Sequence, residues 1–273
     1  MGTSALSNLS MLSLQRTYSR TRASQAESIE RVSSGLRVNR AEDDPAGLGY
    51  ATNLETTHGS LKQAMRNIND ALSLIDTAEG ATSEVEEILN RLRENAVYAA
   101  SETITNQERA YIQLEVGELL EEIDRIGSQT QLSGFNMLAA TQDVSVLVGA
   151  TAQTGNLVDL HFEEVSVNAL GLTGLSLASS TGAQSAIDVI DSAVDTLNDS
   201  RLTYGATQNR LTGALDNLTM YYNLNLESAE SSIRDADLAR EASRMARYDT
   251  MAQAGVASLL QAKGLSSSLI GLL

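Results

Sequence analysis

The stretch Leu61-Lys62-Gln63-Ala64-Met65-Arg66-Asn67-Ile68-Asn69-Asp70-Ala71-Leu72-Ser73-Leu74-Ile75 decides the fold. Leu61, Met65, Ile68, Leu72 and Ile75 are spaced four, three, four, three. That is the repeat of a helix laying one seam against a partner helix. Toward the C-terminus the repeat continues less strictly through Val85, Leu89, Leu92 and Ala96. Toward the N-terminus it reaches Asp44-Pro45, an N-cap followed by proline at the first helical position. One helix is expected from Pro45 to about Ala100, about 80 Å long at 1.5 Å per residue.

Two further helices share this spacing. Thr105 and Glu108 form a capping-box pattern, and Ile112, Val116, Leu119, Ile123 and Ile126 follow it. The short Ser101–Asn106 connection predicts that this helix folds back antiparallel. A third helix is expected from about Ala183, with Thr181 and Gln184 as its box. It places Ile187, Ile190, Val194, Leu197, Tyr204, Leu211, Leu215, Leu218 and Tyr222 on one frame, with Arg201 and Gln208 between. Between the second and third helices the period changes to two. Val144, Val146 and Val148 alternate, as do Val158, Leu160 and Phe162, predicting a β-hairpin around the turn-rich Gly149–Asn156 stretch. Gly171–Gly182 reads as loop.

The chain ends are helical but thinly apolar. Residues 3–34 carry Leu6, Leu9, Leu12, Ile29 and Val32 around a polar middle. A final helix from about Ser232 to Leu265 offers small residues together with Val256, Leu259 and Leu260. Helical stability comes mostly from packing an apolar face, so neither end is stable alone. The economical solution pairs them, with Leu6, Leu9, Leu12, Val256, Leu259 and Leu260 as inner-core packing. The expected fold is mainly α: a long antiparallel helical bundle or coiled coil, a small β-hairpin region, and paired N- and C-terminal helices. Its bundle seam is Leu61, Met65, Ile68, Leu72, Ile75, Ile112, Val116, Leu119, Ile123, Ile190, Val194, Leu197, Leu211, Leu215 and Leu218.

Composition narrows the function. The 273 residues include no Cys, one Pro and only 4% aromatics, which suits long helices over a compact ring-filled core. Without Cys there is no disulfide or thiolate site, and the two histidines, His58 and His161, lie far apart. No catalytic, cofactor or metal residues are assigned. Asp43 and Asp44 read as a turn and cap, and the runs Glu84/Glu86/Glu87 and Glu118/Glu121/Glu122 as solvated helix faces. A net charge of −16 argues against a nucleic-acid partner. No run of 18 apolar residues predicts membrane insertion, and no apolar segment near the start resembles a cleavable signal.

Several ordered motifs resemble bacterial flagellins. They include Ser33-Ser34-Gly35-Leu36-Arg37-Val38-Asn39 and Ala41-Glu42-Asp43-Asp44-Pro45-Ala46-Gly47-Leu48. Gln63-Ala64-Met65-Arg66-Asn67, Thr77-Ala78-Glu79-Gly80-Ala81 and Glu121-Glu122-Ile123-Asp124-Arg125-Ile126 continue the match. Ser232-Ile233-Arg234-Asp235-Ala236-Asp237, Gln253-Ala254-Gly255, Leu260-Gln261-Ala262 and Leu272-Leu273 complete it, over about 1–140 and 185–273. The resemblance implies a filament subunit without cofactors, in a minimal form without outer domains. Residues 1–44 with 228–273 would form an inner coiled-coil core and connecting spoke. Residues 45–130 with 183–227 would form the helical bundle, and 131–182 its β-hairpin and loop region. The implied partners are copies of itself, the flagellar export apparatus, an export chaperone, and the hook-associated and cap proteins. The implied location is extracellular, reached by type III export without a cleaved signal peptide. Arg91 and Glu115 match an Arg and a Glu with which many flagellins contact a vertebrate Toll-like receptor, whereas Asn95 and Tyr98 stand where those relatives carry Leu and Gln. The alternatives are a hook–filament junction protein, which shares the terminal design, and a cytoplasmic coiled-coil adaptor.

Overall fold

The computed structural model describes the backbone of residues 2–222 and 226–270, and the side chains of residue 9, residues 11–222 and residues 226–264. The chain runs α1 (Gly2–Ser34), α2 (Pro45–Ala100), α3 (Asn106–Gln129), β1 (Gln131–Leu132), β2 (Phe135–Asn136), β3 (Gln142–Leu147), β4 (Leu157–Phe162), α4 (Ser180–Tyr221), α5 (Glu227–Arg234) and α6 (Leu238–Ile270). It divides into two compact units, Met1–Thr56 with Asn223–Leu273, and Thr57–Tyr222.

The Thr57–Tyr222 unit is built on heptads. On α2 the fully buried positions are Leu61, Ala64, Ile68, Ala71, Ile75, Ala78, Thr82, Val85, Leu89, Leu92, Ala96 and Ala99, alternating three and four without a break. On α4 they are Ala183, Ala186, Ile190, Ala193, Leu197, Ser200, Tyr204, Thr207 and Leu211, with the same alternation. On α3 Ile112, Val116 and Ile123 are buried. The frame therefore corrects the expected seam at several positions. Met65, Leu72, Leu119, Val194, Leu215 and Leu218 are only half-buried. On α2 and α4, Ala64, Ala71, Ala186 and Ala193 take the deepest sites instead, because a small side chain lets facing helices approach closely. The larger residues then cover the rims.

Polar pairs along those rims set the helix directions. Arg93 meets Asp191 at 2.6 Å, Gln208 Nε2 donates to Asp76 at 2.8 Å, and Arg201 pairs with Glu86. Residue numbers fall on α2 as they rise on α4, so the two helices are antiparallel. Arg91 with Glu115, and Arg109 with the Ala99 carbonyl, place α3 antiparallel to α2 in the same way. The turn between α2 and α3 is closed by Arg109, which is buried. Its guanidinium donates to the Ala99 carbonyl at 2.9 Å and the Ser101 carbonyl at 2.7 Å. It satisfies carbonyls that the end of α2 leaves open and puts a cation at the negative end of the helix dipole. Thr105 and Glu108 form the full capping box of α3.

The hairpin β3–β4 is antiparallel, with Val146 opposite Val158 and Val144 opposite Leu160. Val146, Val158, Leu160 and Phe162 turn into the core, where the Phe162 ring lies 5.8 Å from Tyr204 of α4. A second hairpin, β1–β2, is absent from the sequence reading. It turns through Ser133 and Gly134, both at positive φ, the backbone geometry of a tight two-residue loop. The start of α4 also differs from expectation. Ser179 is its N-cap, accepting from Gly182 N at 3.1 Å, so the helix opens before Thr181.

In the other unit α1 ends at Gly35, whose φ of +74° suits glycine. The chain then crosses the strand-like segment after α5. Arg37 N donates to the Arg234 carbonyl at 2.6 Å and Ala236 N to the Gly35 carbonyl at 2.9 Å. These bonds break the expected final helix at Asp235–Asp237, and Asp237 recaps it by accepting from Arg240 N at 3.0 Å. Asp43 accepts from the backbone N–H groups of Arg40 and Asn39, at 2.9 and 3.1 Å, which hold its carboxyl below the usual range. Asp44 accepts from Gly47 N at 2.9 Å and so caps α2.

Candidate assembly surface

The terminal helices α1 and α6 pack on one another. The covered frame of α1 is Met11, Leu14, Tyr18, Thr21, Gln25, Ser28 and Val32; that of α6 is Glu241, Met245, Tyr248, Ala252, Gly255, Leu259 and Ala262. Both alternate three and four. The fully buried members are Thr21, Gln25, Ser28, Glu241 and Ala252. Gln25 Nε2 donates to Asp249 at 2.6 Å and Ser28 Oγ to Glu241 at 3.3 Å. Glu241 also receives Arg244 at 2.7 Å and faces Arg31 at 3.9 Å. A Cβ added to Gly255 would lie 3.1 Å from the Tyr18 ring, so the ring fills the space that a side chain would take.

This seam corrects the expected inner-core packing. Leu9 is 64% exposed and Leu260 65%, and Leu12 and Val256 are exposed as well. Among the described ones, only Leu259 lies on the seam, half-buried. The side chain of Leu6, and Leu272-Leu273, lie outside the described residues. The reason is angular. Leu6, Leu9 and Leu12 repeat every three residues and walk around a helix of 3.6 residues per turn. Leucines attract a sequence reading, whereas Thr21, Gln25 and Ser28 look like surface residues. Their four-three spacing was the available signal. The pair is thus partly inverted: its most buried groups are mostly polar, Leu14 and Leu259 are half-buried on the seam, and Leu9, Leu12 and Leu260 lie outside it. Ile29, Leu238 and Met251 are exposed as well.

In the other unit Arg91 and Glu115 form an exposed ion pair of 2.6 Å across α2 and α3. The guanidinium lowers the Glu115 carboxyl pKa. Tyr98, Tyr111 and Leu114, on the same two helices, are exposed. His161 bridges two carboxylates, with Nδ1 at 2.5 Å from Asp143 and Nε2 at 2.9 Å from Glu163. His58 stacks on Tyr222 with ring centroids 4.3 Å apart. Among the described residues no group of three His, Asp or Glu is placed to hold a metal ion. Nor is any helix long and apolar enough to cross a membrane.

Comparison with known proteins agrees with this architecture. Residues 6–143 match the bacterial flagellin N-terminal helical region, and residues 187–273 the bacterial flagellin C-terminal helical region. The chain is 40% identical to a flagellin of Halalkalibacterium halodurans over 250 residues, 90% of this chain and 91% of that one. It is 32% identical to flagellin FlaB2 of Treponema pallidum over 281 residues, covering 97% and 98%. The crystal structure of Bacillus cereus flagellin matches 56% of this chain and 88% of its own, with 28% identity and a TM-score of 0.50. A flagellar hook-associated protein from Vibrio parahaemolyticus shares the fold, with a TM-score of 0.59 at 14% identity over 71% of this chain and all of its own. With both helical ends matched and relatives aligned over nearly their whole length, the chain belongs to the bacterial flagellin family.

Proposed function

We propose that this flagellin, a structural subunit of the extracellular bacterial flagellar filament, polymerises by burying the outward apolar face of its α1–α6 pair against identical neighbours. The partly inverted pair carries this reading. Its most buried groups are mostly polar, while Leu9, Leu12, Val256 and Leu260 stay exposed and leave apolar surface that a soluble monomer does not need. A second copy offers the same face, and covering one exposed leucine yields about 1.5–3 kcal/mol. The relatives at 40% and 32% identity are flagellins, which favours this reading over a junction protein or a cytoplasmic adaptor. Residues 1–44 with 228–273 then serve as the polymer's inner core, and the heptad bundle as a rigid body around which lateral contacts form. The subunit does its work by packing, without catalysis or a cofactor. It leaves the cell through the flagellar export apparatus with an export chaperone and without a cleaved signal, and meets hook-associated proteins and a cap at the filament's two ends. The lack of any Cys fits passage as an unfolded chain.

The double substitution Leu9→Ser and Leu260→Ser tests the reading. Monomer helicity should stay at the parental level, because neither side chain is buried in the single chain. The critical concentration for polymerisation should rise at least about tenfold, the effect of 1.4 kcal/mol. Polymerisation at the parental concentration would remove these residues from the interface.

A further inference from the structure

A heptad pair has a built-in ambiguity. Sliding one helix by seven residues along the other returns a/d positions to a/d positions. Small residues on one side weaken the penalty for sliding, and the α6 frame contains Ala252, Gly255 and Ala262. Something must single out one register. The larger apolar residues of the seam, Met11, Leu14, Val32, Met245 and Leu259, are only half-buried and specify it weakly.

We propose that Glu241 is the register-setting residue of the terminal helix pair, through its buried carboxylate and the matching Ser28 and Arg31 on α1. The proposal rests on the reading that this pair is the core of the polymer. The side chain of Glu241 is 6% exposed. A carboxylate in that position needs partners, since an unpaired buried charge is strongly destabilising. It has three: Ser28 Oγ at 3.3 Å, Arg244 at 2.7 Å and Arg31 at 3.9 Å. Arg244 is on the same helix and travels with Glu241 whatever the register. Ser28 and Arg31 do not.

Slippage by one heptad toward the start of α1 brings Thr21 and Ser24 to the places of Ser28 and Arg31. The cross-helix cation is then lost. Gln25, which donates to Asp249 at 2.6 Å, is likewise replaced by Tyr18. Slippage the other way sets Gly35 and Val38 against Glu241, and both lie beyond the end of α1 at Ser34. Only one register gives the buried carboxylate its second arginine. A single polar group at a seam position is known to fix register at some expense of stability. In a polymer the register has a further consequence. It sets where the leucines of α1 stand along those of α6, and hence whether the outward faces of neighbours match.

The test uses the absence of native Cys. In assembled filaments, Tyr18→Cys with Gly255→Cys reports the observed register, since the Tyr18 ring packs against Gly255. Met11→Cys with Gly255→Cys reports the register slipped by one heptad. Oxidative cross-linking within a chain should favour the first pair by about tenfold when Glu241 is present. Glu241→Leu should lower that preference to about threefold or less, without loss of helix, because leucine suits a heptad seam. The combination Ser24→Arg with Arg31→Ser moves the cation by seven residues and should move the favoured cross-link with it. An unchanged preference for the first pair in both variants would overturn the proposal. Failure of both pairs to cross-link in filaments of the otherwise native chain would instead contradict the pairing of the ends in the polymer.

Discussion

Glu108 and Thr105 answer each other's open hydrogen bonds: Thr105 Oγ1 accepts from Glu108 N at 3.3 Å, and Glu108 accepts from Thr105 N at 2.8 Å. Both partners sit three residues apart, so the motif is readable in the sequence, as is Asp44 before Pro45. Thr105→Ala should lower monomer stability by about 1 kcal/mol, measured by urea unfolding. Arg109 and Glu241 could not be read this way. Their burial depends on a folded-back turn in one case and on a helix from the other end of the chain in the second. His161 is a third residue whose role appears only in space. A neutral imidazole has one N–H and can donate to one carboxylate, whereas both His161 nitrogens face carboxylate oxygens. Asp143, then Glu163, raise its pKa above 6.5, and Asp199 of α4 lines the same cleft. The clamp is complete below about 6.5 and is lost as pH rises through the elevated value. Amide exchange in β3 and β4, corrected for intrinsic rate, should therefore quicken as the pH is raised above about 6.5. His161→Gln should abolish that change, and pH-independent protection in the native chain would show that the imidazole does not clamp the hairpin.

At the scale of elements, the heptad spacing was legible, but on α2 and α4 only one of its two positions per repeat was. Leu61, Ile68 and Ile75 are fully buried. Met65 and Leu72 were chosen over Ala64 and Ala71 because transfer free energy grows with side-chain size, whereas close helix approach favours small residues. Substitution separates the two frames. Ile75→Ala should cost about 2–5 kcal/mol, and Leu72→Ala distinctly less, since its rim position leaves it half in water. Equal losses on urea unfolding would place Leu72 in the seam after all. The hairpin β3–β4 was legible because alternation over six residues has no helical counterpart. The break between α5 and α6 was not, because its cause is Leu36 and Arg37, which bond to the Arg234–Asp235 segment from the far end of the sequence. Gly127 shows a similar dependence. A Cβ there would lie 1.8 Å from the Val165 carbonyl oxygen, a contact made by a distant loop. Gly127→Ala should destabilise the bundle by about 1–3 kcal/mol, through backbone that must shift.

For the whole molecule, the family was legible at both ends from ordered motifs, and the two matched regions, 6–143 and 187–273, fall on the same stretches. What a single sequence could not convey is which face of α1 serves its own chain and which serves its neighbours. Sequence alone points to the leucines for the intramolecular seam, whereas the structure buries Thr21, Gln25, Ser28, Glu241 and Ala252 there, with Leu14 and Leu259 half-buried. A division of labour follows. Polar contacts within the chain specify the pairing, and apolar contacts between chains provide the adhesion. Reconstruction by electron microscopy of filaments regrown from purified monomer tests this most directly. Leu9, Leu12, Val256 and Leu260 should be buried against other subunits, while Glu241 stays within its own α1–α6 seam. Those four residues left in solvent, or turned inward onto the partner helix of the same chain, would contradict the account.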